Sequence, residues 1–354
     1  MAGQDERPQV LLLSSNLRRR YAEDILTALA LPRGATLQFR YEAQYVAPPL
    51  QQKVANGSIL GVRALIGFVA DADSPTDAFI LPVRVAEVVV AECAADVFLF
   101  KLRVTDHVDL DDYSLSRADI VAESRKVLDK IIEGNGGAYY PAVLKFPAFP
   151  IRTSEDQAQL WLSVARRLAL HTTFESSYFM RVDQPVHLAK ATSFAFEPDG
   201  RLSLSDLKPA RLPVSFYSPR YTEAPKIALT CSTDGRFLRV SSDASHDVAL
   251  RYDSTEFWLQ PDAASFDALT HVTIRLGPEE AGGTPVAAIR LPVIVRHSRV
   301  RLLSRVAISA LGAFLVAMPA ILGAHSPLVL RIVLAVVGAG ALSAATIVMG
   351  RPRS

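Results

Sequence analysis

The chain has 354 residues, enough for two or three domains of ordinary size. Its formal net charge is only +2, which gives no sign of a strongly basic domain, so nucleic acid is not expected as a partner. Cys93 and Cys231 are the only cysteines, which excludes a disulfide framework and suits a reducing compartment. The mean hydropathy of +0.21 is high for a wholly soluble protein, and most of the excess lies at the C-terminus.

Residues 1–172 are predicted to form a mixed α+β soluble domain. The predicted elements are strands at 10–13, 36–46, 62–70, 79–91 and 96–104, and helices at 18–29, 117–133 and 155–170. Alternating polarity marks the strands and apolar stripes at helical spacing mark the helices. Pro48 and Pro49 are interpreted as the end of the second strand. The two longest strands follow one another directly, which favours an antiparallel arrangement over a doubly wound sheet.

Residues 173–297 are predicted to form an antiparallel β-sandwich with an immunoglobulin-like rhythm. Short strands recur there between turn signals such as Pro198-Asp199-Gly200 and Thr233-Asp234-Gly235. The predicted strands are 186–196, 202–204, 214–217, 226–231, 237–241, 248–252, 256–259, 271–276 and 286–295. No Cys…Trp…Cys spacing accompanies them, so the prediction concerns architecture and names no family.

Residues 298–354 are predicted to form a two-helix transmembrane hairpin with spans at about 306–323 and 332–349. Neither run contains a charged residue. A helix of that length extends about 27 Å, close to the roughly 30 Å of a bilayer core. The lipid bilayer is therefore an expected partner at this stage.

The orientation of the hairpin follows from its arginines. Arg299, Arg301 and Arg305 precede the first span, and Arg351 and Arg353 follow the second. Positive residues stay on the cytoplasmic side, so both termini are expected there. The N-terminus carries no recognisable signal peptide, and the alanine- and arginine-rich, lysine-poor composition favours a bacterial source. The predicted location is a multi-pass protein of the bacterial inner membrane, if the source is prokaryotic.

Small residues recur at four-residue spacing along both hydrophobic segments. They are Ser309, Ala313 and Ala317 in the first, and Ala335, Ala339 and Ser343 in the second. Such stripes let helix backbones approach closely. Two interpretations stay open: packing within the hairpin, and association between chains as a homo-oligomer.

One basic cluster outside the hairpin is a candidate binding site. Arg18, Arg19 and Arg20 stand at the start of the first predicted helix, where cations oppose the helix dipole. Their presence there suggests contact with an anion or with lipid headgroups, since helix N-termini bind phosphate. The alternative is an ordinary solvated helix face.

No motif predicts a catalytic residue, a metal ligand or a cofactor. The acidic stretches 71–77 and 106–112 lack the spacing of a calcium loop. The glycine run 134–137 follows a helix, whereas a phosphate loop would open one. No histidine pairs with a second ligand at helical metal spacing, and neither cysteine lies in a nucleophile motif.

Three functions are compatible with these features. The leading hypothesis is a membrane-anchored cytoplasmic recognition or sensor module, which binds an unknown cytoplasmic protein or small-molecule ligand and signals by oligomerisation of its hairpin. One alternative is a membrane-anchored enzyme with its site between the two soluble domains. Another is a passive membrane scaffold. A polar cleft with perturbed titratable groups would favour the enzyme.

Overall fold

A computed structural model describes most of the chain. The described residues are 8–70, 78–108, 116–146, 156–187, 194–219, 227–241, 243–248, 251–262, 266–277, 287–297, 299–321 and 327–348. Strands predominate in them, and six α-helices accompany three sheets. The acidic stretch 71–77 lies outside these ranges, as do Arg351 and Arg353.

The N-terminal half contains a six-stranded mixed sheet. Its strands are β1 (Val10–Ser15), β2 (Thr36–Glu42), β3 (Arg63–Ala70), β4 (Phe79–Ala94), β5 (Val97–His107) and β6 (Ala142–Leu144). Their spatial order is β2-β5-β4-β3-β1-β6. Only β1 and β3 run parallel, and the other described neighbours are antiparallel. The parallel pair lies at the centre of the domain, which explains why both strands are almost continuously apolar.

Four helices flank this sheet. They are α1 (Arg19–Ala30), α2 (Pro48–Ala55), α3 (Arg117–Gly134) and α4 (Gln157–Leu168). The sequence prediction missed α2, because it took Pro48 as the end of a strand. The proline instead occupies the first turn of a helix, where its missing N–H costs no hydrogen bond. Asp156 caps α4 by accepting hydrogen bonds from the backbone N–H groups of Ala158 and Gln159 at 3.1 and 3.0 Å.

Two five-stranded sheets follow. Their strands are β7 (Phe179–Val182), β8 (Val186–His187), β9 (Leu202–Ser205), β10 (Ala210–Tyr217), β11 (Ile227–Thr233), β12 (Leu238–Val240), β13 (Ser245–Val248), β14 (Tyr252–Pro261), β15 (Ala268–Leu276) and β16 (Ala287–Arg296). One sheet has the order β12-β14-β10-β7, with β8 also on β10, and the other has the order β13-β11-β15-β16-β9. The predicted sandwich was antiparallel throughout, but β9 runs parallel to β16.

A continuous apolar core joins the first sheet to the two later ones. Its centre is an aromatic cluster in which the ring of Phe68 lies 4.8 Å from that of Phe174 and 6.1 Å from that of Phe79. Helix α1 contacts both β7 and β16, so it packs between the regions. This packing aligns the end of α1 with the loops that precede β8 and β9.

The predicted transmembrane hairpin is wrong. Helices α5 (Arg299–Ile321) and α6 (Leu328–Val348) form, but α5 already includes Arg299, Arg301 and Arg305, so its uncharged part is 306–321, or 16 residues. Arg331 lies in the first turn of α6 and leaves 332–348, or 17 residues. Both stretches are shorter than the roughly 20 residues of a membrane span. Among the described residues, no helix has the length and apolarity to cross a bilayer.

The predicted multi-pass membrane location fails with the hairpin, because it rested on the two spans alone. The positive-inside argument for Arg299, Arg301 and Arg305 loses its basis for the same reason. These arginines are helix residues of α5, and they do not flank a membrane segment.

Candidate functional site

A cleft of about 360 Å³ opens where the first sheet meets the later strands. One wall comes from the turn after α1 and from β5, and the other from the segments that precede β8 and β9. The lining residues are Arg33, Gly34, Arg103, Gln184, Ala195, Phe196, Glu197 and Pro198. A cavity of this volume lies within the range of small-molecule sites, about 300–1,000 Å³.

The turn after α1 presents Arg33 to the cleft. Pro32 cannot continue the helix, and Gly34 takes a φ of +94°, which favours glycine. The N–H of Gly34 donates to the carbonyl oxygen of Val104 on β5 at 2.9 Å. A β-carbon at Gly34 would lie 3.0 Å from the ring of Phe196 across the cleft. The turn is therefore held against both walls, and Arg33 projects from a fixed backbone.

Two cations of β5 hold the opposite wall in place. Lys101 and Arg103 lie on the same face of the strand, two residues apart. Arg103 Nη2 donates to the carbonyl oxygen of Pro198 at 2.7 Å, and Lys101 Nζ donates to that of Asp199 at 2.9 Å. Gly200 closes this turn with a φ of +85°, and a β-carbon there would collide with Thr36. The strand and the turn thus define the width of the cleft.

The charged groups of the cleft are held with unequal strength. Glu197 accepts a hydrogen bond from Arg296 at 2.9 Å, and this bond lowers the pKa of the Glu197 carboxyl. Arg33 has a looser partner, since its Nη1 lies 3.4 Å from Asp106. Arg103 lies 3.4 Å from Glu87 but also donates to the Pro198 carbonyl oxygen at 2.7 Å. Good charge-assisted hydrogen bonds are about 2.7–2.9 Å. Glu197 and Arg103 are therefore engaged, and Arg33 is the more available of the two arginines.

The two lining arginines, Arg33 and Arg103, differ in their solvent exposure. The Arg33 side chain is 65% exposed, so its pair with Asp106 is screened by water. Arg103 is 30% exposed, and its Nε atom is buried without a hydrogen-bond partner in the described structure. A buried donor without a partner is costly, and a bound acceptor would satisfy it.

A second cationic group lies behind this wall. Arg84 is 2% exposed, and its Nη2 donates to the carbonyl oxygen of Thr105 at 2.8 Å. Burial lowers the pKa of Arg84 to about 9, which leaves it charged at neutral pH. Its Nη1 lies 2.6 Å from Nε2 of His107, which is also buried. Burial, with Arg84 as the next cause, holds the pKa of His107 well below its ordinary value.

The contact with Arg84 favours one tautomer of His107, although Nε2 of the ring also lies 3.1 Å from the Leu29 carbonyl oxygen. Arg84 can only donate, so Nε2 of His107 accepts. Nδ1 then carries the proton and donates to Oε1 of Gln157 at 3.3 Å, and the same oxygen accepts from the His107 backbone N–H at 2.8 Å. A neutral imidazole thus shields a buried guanidinium, and Gln157 at the start of α4 orients the ring.

The lining of the cleft is suited to binding more than to chemistry. Among its eight residues, Glu197 alone belongs to the common nucleophiles and proton-transfer groups, and the hydrogen bond from Arg296 lowers the pKa of its carboxyl. Over the described ranges, no cluster of three or more histidine, cysteine and acidic side chains is placed to hold a metal ion. Two arginines, an amide and an aromatic ring instead match the groups that bind a small anionic molecule.

The predicted arginine cluster lies away from the cleft. Arg18 precedes α1 and lies 5.8 Å from the ring centroid of Tyr21, and Arg19 pairs with Glu23 at 2.8 Å. Arg20 is exposed on the first turn of the helix. A helix of 12 residues is about 18 Å long, and the cleft lies beyond its other end. Contact of Arg18, Arg19 and Arg20 with an anion stays a prediction.

The predicted packing residues of the two C-terminal helices are mostly exposed. Ala313, Ala317, Ala339 and Ser343 are exposed, and Ser309 and Ala335 are half-buried. The contact within the pair is made elsewhere: Gly312 and Gly338 are buried, and a β-carbon on Gly338 would lie 2.9 Å from the Gly312 carbonyl oxygen. Ala313, Ala317 and Ala339 are therefore not covered by packing between α5 and α6.

Sequence reasoning missed the residues that line the cleft. Arg33 lay outside every predicted element, and Arg103 was only a member of a predicted strand. Pro198-Asp199-Gly200 was recognised as a turn, but the pattern contains no indication that β5 would grip it. No local signal joins residues so far apart along the chain.

No protein-family model matches the chain, and no curated protein is significantly similar to it. Function is therefore argued from the cleft and from the surface of the chain.

Proposed function

We propose that this chain is a recognition module whose cleft binds a small molecule bearing an anionic group, either a carboxylate or a phosphate. One observation carries the proposal: Arg33 and Arg103 line the same cleft, and the acids beside them hold them at 3.4 Å. The membrane anchor of the sequence hypothesis is not part of this proposal.

The energetics favour exchange of the present partners for a ligand. A solvent-exposed ion pair contributes roughly 0–1 kcal/mol, so turning Arg33 toward a bound anion sacrifices little. A guanidinium binds a carboxylate or phosphate through two parallel hydrogen bonds, which adds both affinity and orientation. Arg103 keeps its hydrogen bond to the Pro198 carbonyl oxygen and adds positive charge beside the bound anion.

The remaining lining supports a ligand with an apolar part. Phe196 and Pro198 offer carbon surface, and Gln184 already donates from Nε2 to the Arg33 carbonyl oxygen at 3.0 Å, which holds the two walls together. Small-molecule sites commonly combine a few polar groups with apolar walls. A compact ring with one anionic substituent fits this combination.

The test is calorimetric titration of the full chain with phenyl phosphate, benzoate and benzyl alcohol. These probes share a ring and differ in the group attached to it. Binding of phenyl phosphate or benzoate is expected, with benzyl alcohol at least about tenfold weaker because it lacks the charge, a loss of about 1.4 kcal/mol. Phosphate and carboxylate specificity are separated by the ratio of the first two affinities.

Variants of the lining arginines test whether the probes bind in the cleft. Arg33→Gln and Arg103→Gln are each expected to weaken the anionic probes about tenfold or more. Arg40→Gln is the matched control, because Arg40 is an exposed arginine on β2 of the same sheet and does not line the cleft. Absence of binding by both anionic probes, or equal effects of all three variants, would contradict the proposal. Circular dichroism verifies that each variant is folded.

A further inference from the structure

The surface of α5 and α6 is apolar and lacks a partner within the described chain. Twelve large apolar side chains of these helices are at least 45% exposed. They are Leu303, Val306, Leu311, Phe314, Val316, Leu328, Val329, Leu330, Ile332, Val333, Val336 and Val337. The helices contact each other extensively and the sheets hardly at all. Monomeric proteins rarely leave an apolar patch larger than roughly 300–600 Å².

The exposed residues are arranged on the outer side of each helix. On α5 the exposed face, here called the α5 flank, consists of Leu303, Val306, Ala310, Phe314 and Ala317. On α6 the α6 flank consists of Val329, Ile332, Val333, Val336 and Gly340. The spacings of three and four residues place each set on one helical face. Buried Gly312 and Gly338 lie on the inner faces, so the two flanks point away from each other.

We infer that each flank is covered by the hairpin of a second copy of this chain. The area is sufficient when both flanks are covered: the twelve side chains together present on the order of 800 Å² of apolar surface, about half of it on each helix, and each partner of a standard interface buries about 800 Å². Small exposed residues on both flanks let a neighbouring helix approach closely. The inference is independent of the cleft and goes beyond the proposed ligand binding.

The charges of the helices agree with a second copy as the partner. Neither α5 nor α6 contains an acidic residue, and 306–321 and 332–348 contain no charge at all. Two copies that meet along these two stretches therefore bury no unpaired charge there. Because the flanks lie on opposite sides of the pair, one copy has two contact surfaces, and assemblies larger than a dimer follow if both are used.

The first test measures the mass of the full chain by light scattering over a wide range of concentration. A multiple of 38.5 kDa is expected, falling toward a single chain on dilution. The double variant Phe314→Glu with Val336→Glu is expected to have the mass of a single chain, because each flank would then bury a carboxylate. Leu60→Glu is the matched control, since Leu60 is an exposed leucine of the N-terminal half and should leave the assembly intact.

A cysteine experiment covers the case in which the glutamate variants fail to fold. Cys93 is exposed and Cys231 is buried, so Cys93→Ser gives a background without an exposed cysteine among the described residues. Ala313 and Ala339 are exposed and directly precede the flank residues Phe314 and Gly340. Adding Ala313→Cys or Ala339→Cys is expected to give disulfide-linked dimers on oxidation, separately or when the two variants are mixed. Leu60→Cys in the same background should stay single.

Three outcomes would overturn the inference. The chain could have the mass of one copy at every concentration, with or without detergent or lipid on the helices. The double variant Phe314→Glu with Val336→Glu could assemble to the same mass as the unsubstituted chain. Cross-linking could be no greater at Ala313 and Ala339 than at Leu60. Any of these results would show that a second copy does not cover the flanks.

Discussion

The sheet body (residues 8–297) buries its large apolar side chains, whereas the helical pair α5–α6 exposes many of its own. The largest fully buried side chains, among them Trp161, Phe68 and Phe100, all belong to the sheet body. The helical pair is built of residues just as apolar and exposes twelve large ones. The body therefore closes its core within one chain. The pair has one internal contact and needs a surface from outside to bury the rest.

The two regions also differ in their charges. The body contains acids and bases in pairs, such as Arg181 with Asp183 at 2.8 Å, and it buries Arg84 beside His107. The helical pair has arginines and no acid. Changes of pH below neutrality should thus act on the body and leave the pair unaffected. Removal of apolar volume should lower the stability of the body. In the helical pair it should instead weaken the assembly of copies.

The sharpest contrast compares one phenylalanine from each region. Phe68→Ala is expected to lower the free energy of unfolding by about 3–5 kcal/mol, because a fully buried ring leaves a cavity. Phe314 is 54% exposed, so Phe314→Ala should change the stability of the single chain by less than about 0.5 kcal/mol. Urea unfolding at low protein concentration measures both. Equal losses in the free energy of unfolding would show that the two regions do not differ in how they bury apolar side chains.

Two glycines of α6 test the one internal contact of the helical pair. A β-carbon at Gly338 would lie 2.8 Å from the backbone nitrogen of Val316, so Gly338→Ala should lower the opening free energy of the pair by roughly 1–3 kcal/mol. Gly340 has no atom within 4 Å of that position, and Gly340→Ala should raise helix stability by roughly 0.5–1 kcal/mol. Hydrogen exchange of the α6 amides, measured with Phe314→Glu and Val336→Glu present, gives both values. If both substitutions changed the opening free energy in the same direction, the close contact of Gly338 with α5 would be contradicted.

A third prediction concerns acid and the sheet body. The native pKa of His107 lies well below 6.5, so unfolded His107 binds a proton that the native state excludes. Its contribution to stability is complete above pH 6.5 and is lost as the pH falls, up to about 2 kcal/mol by pH 5. His107→Gln should abolish this loss, because glutamine accepts from Arg84 without titrating.

Asp24 must be removed to see this effect cleanly. Burial raises the pKa of Asp24 to about 6, so native Asp24 takes up a proton as the pH falls and stabilises the fold by about 1 kcal/mol after screening. The comparison is therefore made between Asp24→Asn alone and Asp24→Asn with His107→Gln. Urea unfolding at pH 7 and pH 5 measures it. Parallel pH dependence of the two variants would show that His107 does not contribute.

Local patterns were sufficient for many elements of the body. The apolar run of β4, the alternation of β5 and the apolar stripe of α3 predicted elements close to those observed. The first eight residues of β4 are buried, whereas β5 and α3 each bury one face against a core. The short strands β6 and β7 were missed, since three or four residues carry too little periodicity to be distinguished from a loop. Helix α2 was missed because a proline that ends a strand and one that begins a helix look alike in sequence.

The transmembrane prediction failed on where the helices begin and end. Uncharged runs were counted from the sequence, but the uncharged parts of α5 and α6 among the described residues are 306–321 and 332–348, two residues and one residue shorter than the predicted spans. The arginines placed outside the first span are helical residues. Whether an apolar segment counts as a span depends on helix limits, which the apolar pattern alone does not set.

The sequence alone determined the alternation of apolar and polar residues, and with it which segments become strands or helices. It also determined that two C-terminal segments would be apolar and free of acids. Tertiary structure decided that Arg33 and Arg103 line one cleft, because β5 holds a turn from a distant part of the chain. It also decided which face of each C-terminal helix is exposed, since the close approach of Gly312 and Gly338 selects the inner face. Periodicity is a local property, whereas contacts between distant residues depend on how the elements pack.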